Sequence, residues 1–246
     1  MTPALEVRDL HKVFGGLTVT NGVSLSVAAG ERRLLIGPNG AGKTTLFNLI
    51  TGDLRPTGGR ILLFGTDITA LAGRRRAHLG LARTYQIITL FPNETLRHNV
   101  MLALLGILPR RWNPLRRFDR DPALLAAAET VLDQVGLAHL ALRQVRETAY
   151  GEQRRVEIAL ALAQRPRVLL LDEPFAGLSA QERRDVAALI GAIPPAMTVV
   201  MIEHDMDAAL DLADRITLLD FGLVVVEGTR AEVVADARTR AVYLGG

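Results

Sequence analysis

Apolar and polar positions along the chain follow two different periods, and these mark out its elements. Residues 5–8 and 23–27 follow the two-residue repeat of a strand with one wet face, the latter alternating Val23, Leu25 and Val27 with Ser24 and Ser26. The shorter runs Leu34–Ile36, Val168–Leu171 and Val199–Ile202 are apolar at every position, and Ile216–Leu219 at every position but Thr217, as in strands buried on both faces. Each lies next to a segment of helical period. The first ends at Gly37, crosses a glycine-rich turn and enters the helical pattern Thr44–Ile50. Strand–loop–helix units of this kind build parallel sheets, so the chain is predicted to be α/β. From about 95 to 165 the pattern is helical throughout, with Leu96–Leu105, Pro122–Val135 and Tyr150–Ala163 as predicted helices, and this region reads as a helical insertion. The stretch Pro109–Arg120 has no clear period and is expected to be a surface loop anchored by Trp112 and Phe118.

Composition narrows the function classes. The length of 246 residues suits one hydrophobic core, with room for a subdomain, rather than two independent domains. With 49% hydrophobic and 22% charged residues, a disordered or collagen-like chain is excluded. The absence of cysteine excludes disulfides, thiol catalysis and zinc–thiolate sites, and permits a reducing compartment. Basic residues number 29 against 26 acidic, a net charge of +3, and only Lys12 and Lys43 are lysines. No basic block is long enough for a nucleic-acid surface, so no nucleic-acid partner is expected. The longest apolar stretches, Val100–Leu108 and Ala187–Ile202 broken by Pro194 and Pro195, fall short of the roughly 20 residues of a membrane-spanning helix. No signal peptide is read at the start, and a soluble protein able to sit on a membrane through a partner is expected.

The strongest chemical signal is Gly37-Pro38-Asn39-Gly40-Ala41-Gly42-Lys43-Thr44-Thr45, which matches G-x-x-x-x-G-K-[ST] between a predicted strand and a predicted helix. Its glycines free backbone N–H groups to wrap a polyphosphate, and the following helix adds its positive dipole end. Lys43 would reach the β- and γ-phosphates and Thr44 would set its hydroxyl on Mg²⁺. Chance would produce the whole pattern on the order of once in a thousand such chains, so nucleotide binding follows from it alone. The second signal is the run Val168–Leu171 ending in Asp172 and Glu173, a carboxylate pair for which a buried strand has no structural use. The first carboxylate can hold Mg²⁺, directly or through water, and the second can orient or deprotonate an attacking water. Small-molecule kinases carry these two signals as well.

Taken in order, Phe14, residues 37–45, Gln86, Tyr150-Gly151-Glu152, Asp172-Glu173 and His204 resemble the ATP-binding subunit of an ABC transporter, over almost the whole chain. The resemblance implies a P-loop NTPase core with a mainly parallel sheet, an antiparallel β subdomain, and an α-helical subdomain at 95–165 inserted in one ATP-binding domain spanning 1–246. It implies an ATPase that uses ATP and Mg²⁺, with Thr44, Asp172 and Gln86 at the metal. Phe14 would match the aromatic that stacks on adenine, Gln86 the glutamine joining the core to the helical subdomain, and Glu173 the residue acting on water. His204, in Ile202-Glu203-His204-Asp205, would contact the γ-phosphate. In this family two subunits pair head to tail, each ATP lying between one P-loop and the other subunit's signature loop. Here the chain departs from the common Leu-Ser-Gly-Gly-Gln, reading Thr148-Ala149-Tyr150-Gly151-Glu152, so the serine hydroxyl is missing. Gly151 survives at a helix start, where free N–H groups can face phosphate. Glu152 must point away from phosphate or pair with a cation, and Arg154 and Arg155 are close in sequence. A second departure is Ala176-Gly177-Leu178-Ser179 in place of Ser-Ala-Leu-Asp, where Ser179 and Glu182 form a capping box for a helix beginning near Ala180.

The uncharged run Ile87–Phe91 falls where family members receive a cytoplasmic helix of the membrane subunit; burial in the core is the alternative reading. Asn48–Gly52, Pro56-Thr57-Gly58, Ala176-Gly177-Leu178 and Ala241–Gly245 resemble the ATP-binding subunits of branched-chain amino-acid importers, with urea importers and the lipopolysaccharide-export ATPase as close relatives. The resemblance therefore implies a peripheral subunit on the cytoplasmic face of the bacterial inner membrane, powering import of a small solute, branched-chain amino acids first. Its partners would be membrane permease subunits, an identical or different second ATP-binding subunit, and indirectly an extracytoplasmic solute-binding protein. Two other classes remain to compare: a soluble P-loop kinase, which needs an acceptor site, and an ABC ATPase acting on DNA or ribosomes, which usually carries a long coiled coil or a second ATP-binding half.

Overall fold

The computed structural model describes residues 2–86, 88–108, 118–204 and 209–244. Strands β1 (Leu5–Phe14) and β2 (Leu17–Val27) form an antiparallel hairpin, and the other edge of β1 takes β4 (Gly58–Leu63), followed by β5 (Thr66–Asp67). The hairpin strands run 10 and 11 residues, well past the predicted 5–8 and 23–27. Register shifts between Val7 and Leu10 and on either side of Lys12 break the alternation while pairing continues, so the outer halves carry no two-residue period.

The second sheet has the order β10-β9-β3-β8-β7-β6, built from β3 (Arg32–Ile36), β6 (Leu81–Arg83), β7 (Val168–Asp172), β8 (Thr198–Ile202), β9 (Arg215–Asp220) and β10 (Leu223–Gly228). Every pairing is parallel except β9 with β10. Its four central strands carry the four short apolar runs, and every residue of β7 and β8 is buried. The α/β class expected from those runs, with a mainly parallel sheet beside an antiparallel one, is the class observed.

Helix α1 (Lys43–Thr51) packs Leu46, Phe47, Leu49 and Ile50 into the core between the two sheets, while α6 (Ala180–Gly191) covers the opposite face with Val186 and Ile190. Its C-terminal end is gripped by Arg76 of α2 (Gly73–His78), whose buried guanidinium donates to the carbonyls of Leu49 and Ile50 at 2.7 Å each. A third apolar cluster belongs to α3 (Leu96–Ile107), α4 (Pro122–Gln134) and α5 (Tyr150–Ala163). Thr95 and Asp121 cap the first two, and Pro122 takes the first helical turn. The region 95–165 is not helical throughout, since the short 3₁₀ turns Ala138–Leu140 and Val145–Glu147 separate α4 from α5. Of the stretch Pro109–Arg120, residues 109–117 including Trp112 lie outside the described residues, whereas Phe118 is half-buried with its ring 5.4 Å from that of His98. Among the described residues no helix is long and apolar enough to cross a membrane.

Candidate active site

The loop after β3 threads between two backbones. A Cβ on Gly37, at φ 147°, would lie 2.0 Å from the Leu219 carbonyl oxygen, and one on Gly42, at φ 95°, would lie 2.7 Å from the Val19 carbonyl oxygen. Only glycine fits either place. Asn39 and Gly40 are exposed at the tip, Pro38 is half-buried and Ala41 is buried. Gly42 caps α1 without a side-chain bond, so the first-turn N–H groups of α1 receive no side-chain acceptor from their own cap. Lys43 is buried and folds back, donating to the carbonyls of Gly37 at 2.7 Å and Pro38 at 2.9 Å. Burial pulls its pKa down, while the nearby carboxylates Glu173 and Asp172 push it up. Thr44 is exposed and Thr45 half-buried in the same turn.

Asp172 closes β7 with its carboxylate fully buried. Its backbone N–H donates to Thr84 Oγ1 at 3.2 Å and its Oδ2 accepts from Arg83 Nη2 at 2.6 Å, whereas Oδ1 is buried with no hydrogen-bond partner. Burial raises its pKa and Arg83 opposes that rise. Glu173 then turns the chain at φ 48°, a left-handed conformation that costs a non-glycine residue of order 1–3 kcal/mol and concentrates at functional sites. Its two oxygens are held from opposite elements: Gln86 Nε2 donates to Oε2 at 2.9 Å, and His204 Nε2 lies 3.0 Å from Oε1. Three separately predicted residues thus meet on one carboxylate. Glu203 was not picked out from the sequence, yet its buried carboxylate accepts from the N–H groups of Phe175 at 2.7 Å and His204 at 2.9 Å, tying the end of β8 to the turn after Glu173. Phe14, at the end of β1, is 44% exposed and carries Lys12 Nζ 4.7 Å above its ring, so the ring is available for stacking.

Tyr150-Gly151-Glu152 begin α5, and Gly151 lies against Glu182 of α6. The expected free N–H of Gly151 is instead occupied: it donates to Glu182 Oε1 at 3.1 Å. Glu182 makes the predicted capping box with Ser179 through its other oxygen, which accepts from Ser179 N and Oγ, and a carboxylate has lone pairs enough to serve both elements. Those bonds, Ser179 first and Gly151 later, hold its pKa below the usual range. Ser179→Ala is expected to cost about 1 kcal/mol, or roughly 2–4 °C in melting temperature, read by calorimetry. Glu152 points back toward the preceding turn and accepts from Ala149 N at 2.8 Å. Neither Arg154 nor Arg155 is its partner. Arg154 is fully buried against Glu157 at 2.8 Å and donates to the Tyr85 and Gln86 carbonyls at 3.0 and 3.3 Å, and Arg155 reaches the Val135 carbonyl. Glu157, its pKa raised by burial against the pull of Arg154, also accepts from Thr89 N at 3.4 Å, so α5 clamps the segment around Gln86.

In the run Ile87–Phe91, Ile87 lies outside the described residues, as do Asp205 and Gly245 of the other singled-out stretches. Phe91 is 58% exposed, which rules out full burial for that ring. Asp172 Oδ1 and the Thr44 hydroxyl are hard oxygen donors that fit a small divalent cation sharing substrate phosphate oxygens. Among the described residues no cluster of three or more His, Asp or Glu side chains could hold a metal without such help.

Residues 20–176 match the sequence family described as ABC transporter. The high-affinity branched-chain amino acid transport ATP-binding protein BraF of Pseudomonas aeruginosa is 39% identical, over 99% of this chain and 98% of its own length. LivG of Escherichia coli, a protein of the same description, is 38% identical over the same shares. A nucleotide-free ATP-binding cassette from an ABC transporter superimposes with TM-score 0.89 at 29% identity, covering 99% of this chain and 100% of that one. The ADP conformation of an ATP-binding cassette of an ABC transporter gives TM-score 0.87 at 29% identity, covering both chains in full.

Proposed function

The chain belongs to the ABC transporter family, as an ATP-hydrolysing ATP-binding subunit, and from that premise we propose that it powers import of branched-chain amino acids through separate membrane permease subunits. It would do so from the cytoplasmic face of the bacterial inner membrane, paired with an identical or a second ATP-binding subunit and served by an extracytoplasmic solute-binding protein. The likeness to BraF and LivG along the whole chain supports the substrate class.

The observation that carries the chemistry is the Glu173 carboxylate held between Gln86 and His204, near enough to Lys43 to act on its charge. Residues 37–45 would bind the triphosphate through backbone N–H groups and Lys43, with Phe14 stacking on the base. Glu173 would accept the proton of the attacking water, and His204 would turn from Glu173 to the γ-phosphate. Mg²⁺, held by Thr44, Asp172 through Oδ1, and Gln86, would supply charge neutralisation at the phosphate oxygens. When two subunits close, Gly151 N–H would exchange Glu182 for the phosphate bound on the other subunit. Arg154 and Glu157 would carry movement at Gln86 directly into α5.

The test is purification of the tagged chain from its native membranes with Mg-ATP, identifying co-purifying proteins by mass spectrometry. Permeases together with a solute-binding protein that binds leucine, isoleucine or valine are the expected result. A binding protein for urea, or lipid-export components, would replace the import reading, and no membrane partner would end it. Phe91→Asp is expected to leave the isolated subunit's ATPase rate within about twofold while lowering permease recovery about tenfold, the loss of one exposed aromatic anchor. Undiminished recovery would remove Phe91 from the docking surface.

A further inference from the structure

We propose that Arg83 is a positioning residue for the metal-facing carboxylate, fixing which oxygen of Asp172 points toward the nucleotide and tying that pose to the P-loop helix through Asn48. The proposal rests on the reading of Asp172 given above.

Arg83 ends β6 opposite Leu170 in the parallel ladder with β7. Asp172 lies two residues beyond Leu170, and the strand alternation puts both on the face shared with Arg83. Nη2 binds Asp172 Oδ2 at 2.6 Å, with 4% of the arginine side chain and 1% of the aspartate side chain exposed. Nη1 binds Asn48 Oδ1 at 2.5 Å and lies 3.4 Å from Asp53 Oδ2. Asn48 is four residues after Thr44, on the same face of α1 one turn further along. One planar fork therefore joins the strand that carries Asp172 to the helix that carries Thr44.

The fork cannot swing freely. Its guanidinium carbon lies 5.5 Å from the centre of the Phe47 ring and 4.8 Å from that of Tyr85, and both aromatics belong to segments adjoining the site. With Oδ2 taken, Oδ1 is the one buried oxygen of Asp172 left without a partner. A carboxylate with a free side-chain torsion would present either oxygen in many orientations; this one is delivered in a single pose. Lysine would not substitute, because a point charge on a flexible stem cannot span Asn48 and Asp172 together. Residues that orient metal ligands in this way typically govern metal affinity by 10–100-fold, about the range to look for here.

The experiment measures binding of a fluorescent ATP analogue by the purified full chain, titrated with Mg²⁺ and repeated in EDTA, with thermal melting alongside. Arg83→Met is expected to raise the Mg²⁺ concentration for half-maximal binding about tenfold, while affinity in EDTA stays within about twofold of wild type. Arg83→Lys, which keeps the charge and loses the fork, should fall between the two. Equal weakening with and without Mg²⁺ would reduce Arg83 to general support of the loop and overturn the proposal. Should Arg83→Met fail to fold, Arg83→Lys decides, and an unmoved Mg²⁺ midpoint in that variant overturns it. Asp172→Asn is titrated in parallel. If it shifts the midpoint and the Arg83 variants do not, this proposal alone falls; if it shifts nothing, the metal role of Asp172 falls and takes the proposal with it.

Discussion

Glu173→Gln is expected to slow ATP hydrolysis about 10²- to 10⁴-fold, the usual contribution of a positioned general base, while nucleotide still binds. The substitution keeps the length of the side chain, so the left-handed backbone at this residue and its N–H bond to the Ile202 carbonyl, 3.0 Å, need not change. Gln86 can still donate to the amide oxygen, and the amide nitrogen replaces the oxygen that now faces His204. The phosphate-binding loop makes no hydrogen bond to Glu173, so its contribution to affinity should persist. What disappears is the lone pair that takes a proton from water. In the proposed cycle ATP binding closes two subunits and hydrolysis reopens them, so the variant should accumulate as a dimer in Mg-ATP. Phosphate release and light scattering in the presence of nucleotide measure the two effects; turnover within tenfold of wild type would move the base to another residue.

How far this site was legible in the sequence depended on how its residues reach one another. The phosphate loop is local: nine consecutive residues between an apolar run and a helical period carry their own context. Asp172 and Glu173 stood out because two carboxylates end a strand whose other residues are all apolar. The partners of these groups did not stand out. Arg83 lies 89 positions from Asp172, and in a chain with 29 basic residues a single arginine carries no signal until the sheet order puts β6 beside β7. Glu203 looked like a neighbour of His204 rather than a bridge to Phe175, 28 positions earlier. Glu182 was read correctly as the cap of Ser179, but its second oxygen reaches Gly151, 31 positions away. That contact reversed the expectation of a free N–H at the start of α5. Arg154 likewise looked available to Glu152, although a buried carboxylate one turn along the same helix claims it. Local motifs were therefore readable, while contacts between elements had to wait for topology.

Arg76→Met is expected to destabilise the fold by about 3 kcal/mol, lowering the melting temperature by roughly 6–12 °C at 2–4 °C per kcal/mol. Arg76 is 98% removed from solvent, at 2% exposure, and among the described residues it meets no carboxylate at hydrogen-bond distance. Burial lowers its pKa, with Asp53 and Asp67 opposing from further away. Its donors go to backbone carbonyls: Nε to Leu71 at 2.9 Å, Nη1 to Leu49 and Ile50 at 2.7 Å each, and Nη2 to Thr69 at 2.9 Å. Leu49 and Ile50 lie in the last turn of α1, where carbonyls have no partner within the helix and the dipole is negative, so a cation is favoured there. Methionine fills much of the stem volume and spares the cost of burying a charge, yet each stranded acceptor costs about 1–3 kcal/mol when buried. The net falls well below the sum because some acceptors will find water or shift slightly. A melting temperature within about 2 °C of wild type would mean that α1 does not lean on this guanidinium. The two arginines beside α1 then separate by what they touch: Arg76 acts on helix carbonyls and should move stability, whereas Arg83 acts on side chains facing the nucleotide and should move the Mg²⁺ midpoint.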